Sequence, residues 1–408
     1  MNGSSKNRYR ILFFLLLGIG IALSCLLYHT RIPYMIERAA LWVPRFDYTT
    51  PEDVKQIIKN ASEAGFTDVF FQVRGNGTVF YPSNLEPWAH DLHGGDIEKL
   101  GEDPGWNPLQ LAVEQAAYYN INLHAYINVL PGWKGRSNPP SGRHQPWADH
   151  PDWFMIDVNG NTMQPTSGWY TFLNPAHPDV IRHLSGLINE IMQYSVAGIH
   201  LDYIRYPYDY ASVADEIYPH IPTKDLNRYA DFSYDPYTEA QMIKKVGSDR
   251  SKEARVKVKT TIIENLVTEL SHSMKSRDTK AILSASVLGN PIDGQWHAGQ
   301  VASNWLNSGA LDWAVQMNYG QDTFNLHAKR FARLLSKNQK KNHWLIGISA
   351  THSADKIQSQ FKSIADYRCN GVAFFSYGLL FKEHAFTQKS LIIKDLLKVH
   401  VDKNKQTN

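Results

Sequence analysis

Eight short apolar runs alternate with amphipathic helical stretches, long connections follow runs two to four, and no glycine-rich phosphate turn follows the first run. These observations predict an α/β protein of the (β/α)8 TIM-barrel class with long βα loops 2–4, preceded by an N-terminal membrane-anchor or signal helix. Residues 1–30 form the anchor or signal segment, 31–400 the barrel and 401–408 a polar tail.

In the first element, Lys6, Arg8 and Arg10 precede the uncharged run ILFFLLLGIGIALSCLLY over residues 11–28. At 1.5 Å per residue this run spans roughly 27 Å, enough for a thin bilayer core. The basic flank keeps the N-terminus cytoplasmic and sends the rest across the membrane. Three fates compete. An uncleaved anchor is favoured, because Leu26, Leu27 and Tyr28 continue the apolar run. A lipoprotein attached at Cys25 is the alternative, since Ala22-Leu23-Ser24-Cys25 loosely resembles a lipobox; a cleaved signal peptide is the third. All three place the rest of the chain outside the cytoplasm, at the periplasmic or extracellular face.

The β-type runs cover residues 39–43, 68–73, 123–128, 198–203, 282–287, 311–317, 344–348 and 371–376, each rich in Val, Ile, Phe or Trp and too short for a helix. Helical patterns lie between them at 50–64, 108–120, 178–194 and 255–275. Pro51 suits a first helical turn and Gly65 a stop. Runs five to eight recur at about 30 residues, the minimum βα repeat. The connections 75–107, 129–177 and 207–251 are far longer and would crown the C-terminal face, where barrel active sites sit. The first two carry Tyr81, Trp88, Trp106, Trp133, Trp147, Trp153, Trp169 and Tyr170.

Composition narrows the function. The chain of 408 residues is 43% hydrophobic and 20% charged, which excludes wholesale disorder. Forty-two basic against 39 acidic residues leave +3, too balanced for an electrostatic nucleic-acid binder. Two cysteines cannot build a disulfide framework, and no CxxC or HxH pair suggests a metal site.

The strongest local signal is GIHLDYIRYP over 198–207. Alternation puts His200 and Asp202 on one face of the fourth strand, and Asp202 ends that strand, projecting into the barrel mouth. Arg205 would keep the carboxylate ionised. Other strand ends are also polar: Gln72 and Arg74 on the second, His124, Tyr126 and Asn128 on the third, Gln316, Asn318 and Tyr319 on the sixth, Ser376 and Tyr377 on the eighth. Polar groups at several strand ends, beside aromatic loops such as that of Trp88, suit a hydroxyl-rich sugar chain.

These motifs resemble one family. FTDVFFQVRGNGTVFYPSNLEPWAHDLHG, NPLQLAVEQAAYYNINLHAYINV, LNPAHPDV, GIHLDYIRYP, ALDWAVQMNYGQD and GVAFFSY, in this order over roughly residues 37–377, are similar to the glycosyl-hydrolase-like family 10 proteins, also known as bacterial envelope proteins of the former DUF187 class. The resemblance implies a barrel glycosidase, and one branch of the family acts on peptidoglycan glycan strands. The chain departs from the commonest form at residue 203, where many members carry a second Asp after Asp202 and this one carries Tyr203. Glycoside cleavage uses two carboxyl groups. Asp202 is the expected first, as nucleophile or stabiliser of an oxocarbenium-like transition state. The second stays open between Asp322, which is preferred, Glu86 and Asp293. Gln72, Arg74, Trp88, His124, Asn128, His200, Arg205, Asn318, Tyr319 and Tyr377 are expected to bind substrate. No metal and no organic cofactor is required. A polysaccharide and, through residues 1–30, a membrane are the expected partners; nucleic acid is not. A non-catalytic glycan binder on a degenerate barrel is the rival reading. A metal-dependent hydrolase, with His124, His200 and Asp202 as a partial ligand set, is the third.

Overall fold

The computed structural model describes residues 34–208, 210, 216–222 and 230–401. The N-terminal segment, with Cys25, and the tail beyond Val401 lie outside the described residues. Among the described residues no helix is long and apolar enough to cross a membrane.

Eight parallel strands close into a barrel in sequence order: β1 (Arg38–Val43), β2 (Asp68–Arg74), β3 (Asn122–Asn128), β4 (Gly198–Asp202), β5 (Ile282–Leu288), β6 (Trp313–Met317), β7 (Trp344–Ser349) and β8 (Gly371–Phe375), the last pairing back onto β1. The expected (β/α)8 class is therefore present, each strand lying within one or two residues of its predicted run. Run six begins two residues later than its apolar pattern. The Asp312 carboxylate accepts the Leu283 N–H and Lys275 Nζ, each at 2.8 Å, and holds that residue in the turn.

The surrounding helices have chemical reasons for their ends. Helix α1 (Pro51–Ala64) starts at a capping box between Thr50 and Asp53 and stops at Gly65, whose φ of 88° suits glycine. Helix α2 (Pro108–Tyr119) is capped by Asn107, and α3 (Pro178–Ile191) by His177. The long connection after β4 contains a helix that the apolar periodicity missed, α4 (Pro236–Val246), with Asp235 as N-cap and Pro236 in its first turn. Then comes α5 (Lys252–Lys275). Val180, Leu184, Leu187 and Ile188 of α3 are wholly buried. Each contributes about 1.5–3 kcal/mol by leaving water.

The barrel interior is packed in layers. An apolar cluster of Ala40, Trp42, Phe70, Tyr126, Trp313, Val315, Leu345 and Ala373 fills it. Two buried histidines are threaded through that cluster. Near the N-terminal ends, His124 Nε2 lies 3.0 Å from Asp68, which Arg38 also approaches at 3.6 Å. One layer higher, His200 accepts the Trp42 indole N–H at 2.9 Å, meets Ser284 and Ser286 at 2.8 and 2.9 Å, and stacks on Phe70 at 4.0 Å. Burial, with His124 nearby, holds the His200 pKa well below the usual imidazole value, so the ring is neutral.

On the outer rim, the half-buried Asp47 carboxylate accepts the Gly378 N–H at 3.2 Å. Burial outweighs this bond and a neighbouring His384, raising its pKa from 3.8 to about 6. The fold thus binds this proton more tightly than the unfolded chain does. Its stability contribution is full below pH 3.8 and falls as pH rises through about 6. Asp47→Asn is expected to raise the thermal midpoint by about 1–3 °C at pH 7.5, with the gain shrinking toward pH 4. Parallel melts of both proteins at the two pH values check this.

Candidate active site

The C-terminal ends of the strands deliver one carboxylate to the mouth with an assembled set of donors. Asp202 pairs in register with Asn128 of β3. Its Oδ2 accepts the Tyr126 hydroxyl at 3.0 Å; its Oδ1 accepts the Tyr203 backbone N–H at 2.7 Å and Arg205 Nη1 at 3.3 Å. The carboxylate side chain keeps 11% exposure, enough to meet a ligand from above. Tyr203 turns its N–H toward the carboxylate by adopting a left-handed backbone with φ of 52°, a strained conformation for an aromatic residue. Its ring lies under the Arg205 guanidinium at 4.2 Å. Burial first, then the Asp202 charge, push the Tyr126 pKa well above the ordinary phenol value, so this hydroxyl stays a donor.

Aromatic rings from the long loops wall the site. Trp169, Tyr170 and Phe172 lie 6.0, 5.6 and 6.0 Å from the Tyr203 ring. Tyr170 and Phe172 belong to a strand, Tyr170–Phe172, that pairs antiparallel with Pro131–Lys134 in the loop after β3. Tyr319, after β6, meets Trp42 and Phe375 edge-on or tilted, and burial together with Asp202 raises its pKa. Arg45, just after β1, completes the wall. Its N–H donates to Gln72 Oε1 at 2.9 Å, its Nη2 lies 3.5 Å from the Tyr170 hydroxyl, and its Nε is 3.6 Å from Asp91. Gly75 makes room for it: a Cβ there would come within 2.9 Å of the Arg45 side chain. Strand periodicity pointed to neither Arg45 nor Asp91, because each lies in a short 3-10 helical turn outside the strands. The only signal for Asp91 is its place in the stretch WAHDLHG.

The expected substrate ligands divide sharply. Asn128, Arg205 and Tyr319 gather around Asp202. Trp88 lines an open pocket of about 370 Å³ with Ser83, Asn84, Arg143 and His144, between the loops after β2 and β3. Gln72 faces Arg45 rather than the cavity, and Asn318 ties its own loop by donating to the Phe324 carbonyl at 2.9 Å. Four further expectations need correction. His124 and His200 point inward but lie in the closed layers below the mouth, where Asp68 and the serines already hold them. With Asp202 they do not converge into a metal-ligand set. Tyr377 turns outward, its hydroxyl accepting Asn60 Nδ2 at 2.9 Å and meeting His384 at 2.8 Å. Arg74 is fully buried, bound to Glu86 at 2.6 and 2.9 Å and to the carbonyls of Asn128, Val129 and Pro131.

That pairing also removes Glu86 from the list of acids. It is wholly buried and receives His183 at 3.0 Å besides Arg74. Burial opposes its charge, but Arg74 and His183 outweigh it and hold the pKa at about 2. Asp322, the preferred second carboxylate, stands 98% exposed beside Lys356, with none of the desolvation a glycosidase acid needs. Asp293 is exposed as well and accepts Asn290 Nδ2 at 2.9 Å.

Known proteins bear on this geometry. The profile of the family described as Glycosyl hydrolase-like 10 matches residues 39–367. Glycosyl hydrolase DigH of Escherichia coli (strain K12) is 28% identical over 222 residues, 52% of this chain and 42% of that protein. Glycosyl hydrolase YngK of Bacillus subtilis (strain 168) is 25% identical over 203 residues, 48% of this chain and 35% of that protein. These alignments thus span less than half the length of either curated relative. Among solved structures, the PgaB (BpsB) glycoside hydrolase domain of Bordetella bronchiseptica superposes with a TM-score of 0.58 at 12% identity, covering 90% of this chain and 99% of that one. The catalytic domain of β-amylase from Paenibacillus polymyxa gives 0.58 at 10% identity, with 89% and 98% covered. At such identities these two report the fold alone.

Proposed function

Because the chain belongs to the glycosyl hydrolase-like 10 family, we propose that it hydrolyses O-glycosidic bonds of a cell-envelope polysaccharide, with peptidoglycan glycan strands the favoured substrate. One observation carries the reading. The Asp202 carboxylate opens into the barrel mouth with three donors on it and rings of Trp169, Tyr170, Tyr203 and Tyr319 around it. Beside a sugar ring, a carboxylate so held stabilises positive charge at the anomeric carbon or attacks it. The aromatic faces suit sugar C–H surfaces, and the Trp88 pocket would extend the groove to an outer sugar.

The test is direct. The protein from Glu37 onward is incubated with purified glycan strands, with and without stem peptides, and new reducing ends are counted. Release of ends supports the reading; strand binding without release leaves only a glycan binder. Tyr126→Phe removes one charge-assisted hydrogen bond to Asp202, and its turnover of the strands is expected to fall about ten- to a hundredfold, with the thermal midpoint within about 2 °C. Export by residues 1–30 belongs to the same proposal, and the mass of the mature N-terminus tests it.

A further inference from the structure

The base of the barrel, at the N-terminal ends of the strands and opposite the candidate active site, carries an unbalanced cluster of positive charge. We infer that this face binds the headgroups of anionic phospholipids and so lays the barrel base-down on a membrane. The inference rests on the export reading above, in which residues 1–30 bring the chain to a bilayer.

Charge is the first argument. A net charge of +3 over 408 residues conceals a strong local bias. Residues 329–341 hold Lys329, Arg330, Arg333, Lys337, Lys340 and Lys341, and no Asp or Glu occurs from 323 to 354. Helix α6 (Phe324–Arg333) follows β6, and α7 (Lys337–His343) leads directly into β7, so Arg333 and the α7 lysines stand at the base. Those four cations form no ion pair among the described residues. The acids of this face do not offset them. Asp312 is held by Lys275 Nζ at 2.8 Å, and Asp278 accepts the Lys280 N–H at 2.8 Å. Arg368, exposed, stands against the exposed Asp366.

Place is the second argument. The Asn342 carbonyl of α7 accepts Asn370 Nδ2 at 3.1 Å. The Asn370 carbonyl in turn accepts the N–H groups of Glu37 and Arg38 at 2.9 and 3.3 Å. The basic helix therefore adjoins the point at which the chain enters β1. Seven residues, 29–35, separate Ile36 from the apolar run that ends at Tyr28, and fully extended they reach at most about 25 Å. An apolar run held in a bilayer keeps that entry point, and α7 with it, near the lipid surface.

The chemistry of the patch fits lipid phosphates. Ammonium groups meet them as point charges and guanidinium groups with paired donors. Each Lys or Arg near an anionic surface adds about fivefold to the affinity, within a Debye length of about 8 Å. Leu334, 50% exposed between Arg333 and Lys337, supplies an apolar tip for the headgroup layer. Strands of five to seven residues then hold the mouth about 20 Å above the base, open toward a glycan lying off the membrane.

Full-length protein is placed in lipid nanodiscs of phosphatidylcholine, alone or with about a third phosphatidylglycerol, and its lysines are briefly acetylated by a soluble reagent and read by mass spectrometry. Labelling of Lys337, Lys340 and Lys341 is expected to fall at least about fivefold in the anionic discs and to return in about 0.5 M salt. Lys134, in the loop after β3 at the mouth, is expected to label alike in both. Equal labelling of the α7 lysines in the two discs overturns the proposal. Protection by soluble polyglycerol phosphate but not by anionic discs also overturns it, and assigns the patch to a phosphate polymer. The anchor is read separately, from whether the protein stays with phosphatidylcholine discs during gel filtration. A chain that leaves them refutes the anchor alone, and the patch is then read by sedimentation with anionic vesicles. There Lys337→Gln, Lys340→Gln and Lys341→Gln together are expected to weaken binding at least about tenfold. No binding by native protein, or undiminished binding by the triple variant, overturns the proposal.

Discussion

Asp202→Asn is expected to lower turnover of glycan strands by at least about a thousandfold, with the thermal midpoint unchanged within about 3 °C. Asparagine keeps the shape and one carbonyl oxygen, so either the Tyr126 hydroxyl or the Tyr203 N–H retains its acceptor. What disappears is the negative charge beneath the developing sugar cation. In a half-closed site that charge acts at low dielectric, and a thousandfold loss corresponds to about 4 kcal/mol of transition-state stabilisation. Arg205 would lose its ion pair with Asp202 yet keep the faces of Tyr203 and Tyr208, at 4.2 and 5.7 Å, which limits the cost to the fold. Initial rates over a range of strand concentrations, set beside melting curves, check both halves. Undiminished turnover in this variant would remove Asp202 from the chemistry.

The second large effect concerns stability. Glu86→Gln is expected to destabilise the protein by about 3–5 kcal/mol at pH 7, because it leaves the Arg74 charge buried among carbonyls with no counter-ion. The sign of the pH dependence follows from the same pair. The Glu86 pKa is lowered from the ordinary 4.5 to about 2, so its charge contributes stability that is fully present above pH 4.5 and lost as pH falls from there toward about 2. That contribution is about 3 kcal/mol by linkage, and the variant lacks it. Urea titrations at pH 7 and at pH 3.5 should show the gap between the proteins narrowing in acid. The paired change Arg74→Met with Glu86→Leu should recover part of the loss, since it removes both charges together. A single variant within about 1 kcal/mol of native at pH 7 would mean that the pair does not anchor the loop.

The strands were legible because barrel strands are buried on both faces and leave unbroken apolar runs that turns delimit. Asp202 was legible for a related reason: a charged residue ending such a run has only the mouth to face. Alternation says which way a side chain points but nothing of how deep it lies. His124 and His200 share the inward face with Asn128 and Asp202, yet each sits lower on its strand. Two residues lower on a strand is about 6–7 Å, the difference between an open mouth and a packed layer. Arg74 escaped for a different reason. Its partner Glu86 arrives only when the loop after β2 folds back over the strand end, and loops carry no periodicity from which to forecast a contact. Asp91 and Arg45 were hidden by the same lack of pattern.

The left-handed turn at Tyr203 has a consequence for what this position can become. Asp and Asn enter that conformation with little resistance, whereas a bulky ring does so at a cost of order 1–3 kcal/mol. An Asp at this position would relax the backbone and set another negative group beside the first. This chain has instead accepted a tense hinge and gained a flat, uncharged sill, against which the Arg205 plane is clamped. Recognition of the proposed glycan at this spot should therefore be tuned by ring stacking rather than by a second charge.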